Sequence, residues 1–127
     1  MRIQNQSLEV NGSPAPISMN SGFVTDPIYL GHIVNYSIQI VFTGTPTGNF
    51  TLEYSNDEGQ GDRRLNEFSS AGVVNWTTVS DSAFPVTAAG DVMWDVANVG
   101  ARWVRVRWIQ TGGTGTATSA RFQVKGV

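Results

Sequence analysis

The chain has 127 residues, no cysteine, one histidine and a formal net charge of −2. This length fits a single domain with a sizeable core. The missing thiols exclude a disulfide framework, a thiolate metal site and thiol catalysis, and one histidine excludes histidine pairs as metal ligands. No apolar run reaches the roughly 20 residues that span a bilayer, and the amino terminus lacks the apolar stretch of a secretory signal. We therefore expect a protein made in the cytoplasm that does not enter a membrane.

The charges are unevenly distributed along the chain. Residues 102–127 carry five basic residues and no acid, whereas residues 1–101 carry three basic and ten acidic residues. Opposite charges on two parts of one small domain favour head-to-tail contacts between copies, or contacts with an acidic partner.

Short strand patterns occur near the amino terminus, at residues 8–10, 17–19, 23–25 and 28–30. We expect residues 1–20 to form an N-terminal arm or short edge strands, because so short a segment buries little on its own. Residues 21–127 are expected to form the folded domain.

The first long strand is predicted at residues 34–42, where apolar and polar side chains alternate. The segment TGTPTGN that follows has turn composition, and the alternation resumes at residues 50–54. Setting Phe42 opposite Phe50 places the apolar side chains of both segments on one face. The pattern therefore predicts a β-hairpin.

The middle of the chain alternates less clearly. Residues 57–72 form a long polar segment, interpreted as an insertion loop with room for one helical turn at 64–68. A strand is predicted at residues 74–78 with Val74 and Trp76 facing inward, and a short one at residues 84–87.

The carboxyl-terminal part is predicted to be a meander of three strands, at residues 92–96, 103–108 and 118–124. Gly100 closes the first connection, and the segment TGGTG forms the second. Trp94 and Trp108 point inward in this register and, like Trp76, are predicted to be core. Seven to nine strands without a substantial helix predict one antiparallel β-sandwich, jelly-roll or immunoglobulin-like in topology.

Catalytic and metal-binding patterns are absent from the sequence. His32 has no serine or aspartate beside it in a strained-turn motif. Asp57, Glu58 and Asp62 lack the spacing of an EF-hand calcium loop. No glycine-rich loop leads into a helix to hold a phosphate. The sequence therefore predicts no catalytic residue, cofactor or metal, and a protein that is not an enzyme.

The basic carboxyl-terminal segment is the best candidate for a binding surface. The predicted register sets Arg105 opposite Arg121, and like charges opposed across strands destabilise a sheet. Asp95, diagonal to Arg105, would offset them within the sheet. Alternatively, the 57–67 loop of a neighbouring subunit would supply the acids. Nucleic acid stacked on Trp103 is the least favoured option because the whole chain is acidic.

Trp103 is the one tryptophan predicted to face outward, and exposed tryptophans often anchor interfaces. The candidate interface comprises this residue and six charged ones: Asp95, Arg63, Arg64, Arg105, Arg107 and Arg121.

Three segments carry a resemblance to a known group of proteins: NYSIQIVFTGTPTGNFTLEYSND, NWTTV and GDVMWDVANVGARWVRVRWIQTGGTGTATSARFQVKG. Over residues 28–127 the chain resembles small β-sandwich structural proteins of tailed bacteriophages, of the capsid-decoration, head-fibre or tail type. The block from Trp94 through Val106 and the Gly-Thr-Gly turn carry most of it, and residues 57–72 are longer than the pattern.

The resemblance implies a virion structural protein, synthesised in the bacterial cytoplasm. It would act as a homo-oligomer through contacts with its own copies and with other virion proteins. The alternative function is a carbohydrate-binding module that recognises a host surface glycan through an exposed aromatic side chain. Neither function predicts nucleic acid or membrane as a partner.

Overall fold

The computed structural model describes residues 5–31, 33–62 and 67–124, and these form strands and connections without a helix. The strands are β1 (Asn5–Ser7), β2 (Glu9–Val10), β3 (Ser13–Pro14), β4 (Ile17–Ser18), β5 (Phe23–Val24), β6 (Ile28–Tyr29), β7 (Tyr36–Gly44), β8 (Thr47–Ser55), β9 (Gln60–Asp62), β10 (Glu67–Ser69), β11 (Thr77–Thr78), β12 (Phe84–Val86), β13 (Gly90–Val96), β14 (Trp103–Gly112) and β15 (Gly115–Val124). No helix in this part of the chain is long and apolar enough to cross a membrane.

Two antiparallel sheets face each other. Sheet I has the order β1–β15–β7–β13, with β4 also pairing with β15. Sheet II has the order β11–β8–β14–β5, with β12 also pairing with β8 and β6 with β14. Two small ladders, β2 with β3 and β9 with β10, lie outside these sheets. The predicted all-β antiparallel sandwich is therefore confirmed.

The topology is that of a jelly roll. The short strands β1 and β4 occupy one position beside β15, β5 and β6 one position beside β14, and β11 and β12 one position beside β8. The two sheets then contain eight strand positions, which we number 1 to 8 in chain order. Sheet I then reads 1-8-3-6 and sheet II reads 5-4-7-2, which is the jelly-roll arrangement. The described strands outnumber the predicted seven to nine because three positions are each filled by two short segments and because four more short strands form the two small ladders.

The predicted hairpins are wrong. β7 lies in sheet I and β8 in sheet II, and β14 and β15 are separated in the same way. β13 pairs with β7, so the expected meander does not form either. Alternation identifies which side chains face the core, but it does not say which sheet holds the strand. Phe42 and Phe50 do face each other, with ring centroids 5.8 Å apart, but across the core between the sheets.

The core is rich in aromatic rings. Phe50 contacts Trp94 and Trp108, at centroid distances of 6.1 and 4.6 Å, and both indoles are buried as predicted. Their N–H groups donate to backbone carbonyls, so neither indole leaves a polar group unpaired. Between the sheets, the hydroxyls of Tyr36 and Tyr54 are hydrogen-bonded at 2.5 Å. Burial, together with this bond, raises the pKa of Tyr36 far above its ordinary value.

The amino-terminal part of the predicted strand at residues 74–78 differs from expectation. Only Thr77 and Thr78 pair, with β8, and the Val74 side chain is 74% exposed. Trp76 is half-buried and is not part of the core cluster. The prediction that Val74 and Trp76 face the core is wrong, because the segment before Thr77 is a loop rather than a strand.

The amino-terminal segment and the polar segment at residues 57–72 both pack on the sandwich. β1 and β4 lie along β15, and Leu8 and Met19 are buried in the core. Within residues 57–72, β9 and β10 form a short ladder. The helical turn predicted at 64–68 falls partly on residues 63–66, outside the described residues, and Glu67–Ser69 is a strand.

Candidate functional site

An ion-pair network occupies the outer face of sheet II. The ladder between β8 and β14 sets Arg105 directly opposite Glu53. The Nε atoms of Arg105 and Arg107 donate to Oε1 and Oε2 of Glu53, at 2.6 and 2.9 Å. Burial alone would raise the pKa of Glu53, but the hydrogen bonds and charges of the two arginines outweigh it and hold this pKa below its ordinary value. The carboxylate therefore stays ionised and fixes both guanidinium groups.

Trp76 covers one of these arginines. The guanidinium carbon of Arg105 lies 4.1 Å from the centroid of the indole ring, a cation–π contact. The Arg105 side chain is 18% exposed and the Arg107 side chain 39% exposed, so Arg107 is the more accessible cation. We call the surface formed by Glu53, Trp76, Arg105 and Arg107 the arginine face.

An open groove of about 480 Å³ adjoins the arginine face. The two surfaces are neighbours because Ser55, which lines the groove, is two residues from Glu53 on β8 and so lies on the same side of the sheet. The walls of this groove, which we call the Asp57 groove, include Tyr54, Asn56, Asp57, Asn75, Thr77 and Ala101.

The polar side chains of the Asp57 groove are held by hydrogen bonds. Asp57 Oδ2 accepts from the backbone N–H groups of Val74 and Asn75, at 2.8 and 2.9 Å, and Oδ1 accepts from Asn75 Nδ2 at 3.1 Å. These bonds, the one from Val74 first, lower the pKa of Asp57. Asn56 Oδ1 accepts from the backbone N–H of Arg102 at 3.1 Å. The groove is thus lined by amide and carboxylate groups in fixed positions.

Trp103 is not the exposed anchor that the sequence predicts. It does lie on the outer side of β14, but it is 2% exposed. Its Nε1–H donates to the backbone oxygen of Asp57 at 3.0 Å, and Tyr29 packs edge-on at a centroid distance of 5.1 Å. Gly59, at a φ of +70°, also lies over it, and a Cβ there would be 2.9 Å from Trp103 Cζ2. Strand alternation predicts the side of the sheet but not the loop that covers it.

The other predicted interface residues are not brought together. Arg121 belongs to sheet I, opposite Gln39, and its Nη1 donates to Ser7 Oγ at 3.1 Å. Asp95 is also in sheet I, opposite Ser37. The predicted opposition of Arg105 to Arg121, and the placement of Asp95 beside Arg105, are therefore wrong. Arg63, Arg64 and His32 lie outside the described residues.

Sequence reasoning did miss Glu53 and Trp76. It required an anion near Arg105, but it assigned that role to Asp95 because the hairpin placed β14 beside the wrong strands. The available signal was Glu53, an acid at an outward position of a long alternating strand. Among the described residues, no three His, Cys, Asp or Glu side chains cluster in a way that could hold a metal ion.

No protein-family model and no curated protein matches this chain. Among solved structures, it is similar to chitosan-binding module 1 derived from the chitosanase/glucanase of Paenibacillus sp. IK-5. The identity is 18% and the TM-score 0.45, over 98% of this chain and 94% of that one. Similarity at this level carries no argument about function.

Proposed function

We propose that this chain is a non-catalytic binding domain that recognises carbohydrate in the Asp57 groove. The observation that carries the proposal is the set of groove amide and carboxylate groups fixed by hydrogen bonds. Sugar hydroxyls both donate and accept, so a site for them needs donors and acceptors already in position. Asn56, Asp57 and Asn75 meet this need without a rearrangement.

The half-buried Trp76 supplies the other part of such a site. Sugars present apolar C–H faces beside their hydroxyls, and a tryptophan offers a rigid apolar surface at low entropic cost. One face of the Trp76 ring contacts Arg105, which holds the indole in position next to Asn75. Binding sites generally combine apolar surface with a few fixed polar groups, and the groove and indole together have this composition.

A glycan array followed by calorimetric titration tests the proposal. We expect wild-type protein to bind a subset of glycans, and Asn75→Ala and Trp76→Ala each to lower the affinity about tenfold. Gln123→Ala, an exposed residue on sheet I, is the matched control and is expected to bind normally. An array without hits, or equal binding by all four proteins, would contradict the proposal.

A second candidate function is assembly into a phage particle, as the sequence resemblance implies. The observation that favours it is the outer face of sheet I, where Asp91 and Asp95 lie on the edge strand β13 and Arg121 lies two strands away. Copies arranged head to tail would bring these opposite charges together. Light scattering at low and high salt tests it: a monomer at all concentrations, without affinity for phage particles, would contradict a virion role.

A further inference from the structure

We propose that the arginine face binds the carboxylate or sulfate group of an acidic glycan, which names the ligand class of the proposed carbohydrate site and rests on that function. The surface contains two guanidinium groups and one carboxylate, so it keeps a net positive charge. It adjoins the Asp57 groove at Ser55, which follows Glu53 on the same side of β8. A glycan that extends from the groove along β8 would bring an acidic substituent first to Arg105 and then to Arg107, which lie opposite Glu53 and Thr51.

The two guanidinium groups are positioned to accept an anion. Each donates to Glu53 through Nε, and Glu53 is their only hydrogen-bond acceptor among the described residues. No described residue accepts from their Nη atoms, and Arg107 is 39% exposed, so its guanidinium group can be reached from solvent. Because Glu53 fixes the Nε edges, an incoming anion does not have to order the arginines, which lowers the entropic cost of binding.

Trp76 adds to the orientation of the site. Its ring covers one face of the Arg105 guanidinium, so the open hydrogen-bonding direction of Arg105 is in the plane of the group. Planar N–H pairs match the two oxygens of a carboxylate or sulfate. Arg107, at 39% exposure, would make the more exposed contact, and the Thr51 hydroxyl on the opposite strand adds a polar neighbour.

The acid that follows the adjoining strand does not occupy the site. Asp26 follows β5, whose Val24 pairs with Arg107. Its carboxylate accepts from the backbone N–H groups of Asn11 and Gly12, at 3.0 and 2.8 Å. It is thus committed to that turn, and the arginine face keeps its positive charge.

The experiment compares tetragalacturonic acid with its neutral methyl ester in calorimetric titrations. The two probes share one sugar backbone and differ in charge. We expect the acid to bind at least about tenfold more tightly than the ester at low salt, with the difference decreasing as salt is added. Arg107→Gln is expected to remove most of this difference. Arg121→Gln, which deletes the same charge on sheet I, is the matched control and should leave it unchanged.

Equal affinity for the acid and the ester would overturn the inference. So would an Arg121→Gln control that loses the preference for the acid as fully as Arg107→Gln does. If neutral glycans bind in the groove while the acid shows no preference, the inference fails and the proposed function stands. If no glycan binds, both fail. If a polyglutamate peptide binds as tightly as tetragalacturonic acid, and if Arg107→Gln abolishes this binding, the arginine face would be assigned to an acidic protein and the glycan assignment would be overturned. Thermal unfolding of each variant shows whether it is folded.

Discussion

Replacing Glu53 with glutamine tests the central electrostatic feature of sheet II. The substitution keeps the shape of the side chain but leaves Arg105 and Arg107 without a counter-charge. Hydrogen bonds to charged groups contribute about 1.5–3 kcal/mol each, and partial exposure of Arg107 screens one of them. Glutamine retains one weaker bond. We therefore expect the free energy of unfolding to fall by about 2 kcal/mol.

For 127 residues, this loss corresponds to a decrease in Tm of about 7 °C. Circular dichroism melting at pH 7 measures it, with Asp95→Asn as a control that removes an equal charge from sheet I. Because the pKa of Glu53 is lower in the folded than in the unfolded state, its contribution is present above its ordinary pKa of 4.5 and is lost as the pH falls through the folded value. The difference between wild type and Glu53→Gln should therefore shrink in acid. A Tm within about 1 °C of wild type at pH 7, or a difference that does not depend on pH, would refute this reasoning.

Three further predictions concern the core, the covering loop and the open edge. Phe50→Ala removes the ring that contacts both core tryptophans and should cost about 3–5 kcal/mol in urea unfolding, whereas a cost below about 1 kcal/mol would mean that this ring is not central. Gly59→Ala places a Cβ against Trp103 at a φ of +70°, so we expect a lower Tm and a red-shifted tryptophan emission; an unchanged spectrum would contradict the packing of this loop. The edge strand β13 carries Asp91 and Asp95. If the β13 strands of two copies paired antiparallel about their midpoint, Asp91 of each copy would lie opposite Asp95 of the other, and the like charges would repel. Neutralising both to asparagine should therefore promote edge-to-edge self-association in sedimentation velocity, whereas the head-to-tail contacts of the second candidate function would be weakened by it; a strictly unchanged sedimentation coefficient would show that these charges do not protect the edge.

The faces of the long strands could be predicted from the sequence. Ile38 and Ile40 in β7, and Val104 and Val106 in β14, are buried as their alternation indicates. Two-residue periodicity reports burial directly, because successive side chains of a strand point to opposite sides. The all-β class, the antiparallel sandwich and the burial of Trp94 and Trp108 follow from this signal.

Strand pairing and the site could not be predicted in the same way. The register of apolar residues that predicts a hairpin between Phe42 and Phe50 is satisfied equally well when the two strands face each other across a core. The partner of Arg105 depended on that pairing, so Glu53 was missed. The cover over Trp103 comes from a loop whose path depends on Gly59 and on hydrogen bonds of Asp57. Neither the path of this loop nor the hydrogen bonds of Asp57 produce a periodic pattern in the sequence.

The separation of consecutive long strands into opposite sheets has a consequence for how the chain reaches its native state. Val124 pairs with Tyr36 and Trp103 with Ser55, so the long ladders join segments that are far apart in sequence. Long strands that are consecutive in the chain do not pair with each other, so no local hairpin can form early. Large loops must therefore close, at a cost in chain entropy, before the backbone hydrogen bonds of the ladders can form. Folding is therefore expected to be slow and to require nearly the whole chain. Because β15 lies between β1 and β7 and follows both of them along the chain, sheet I stays open during synthesis until β15 has been made and has docked between them.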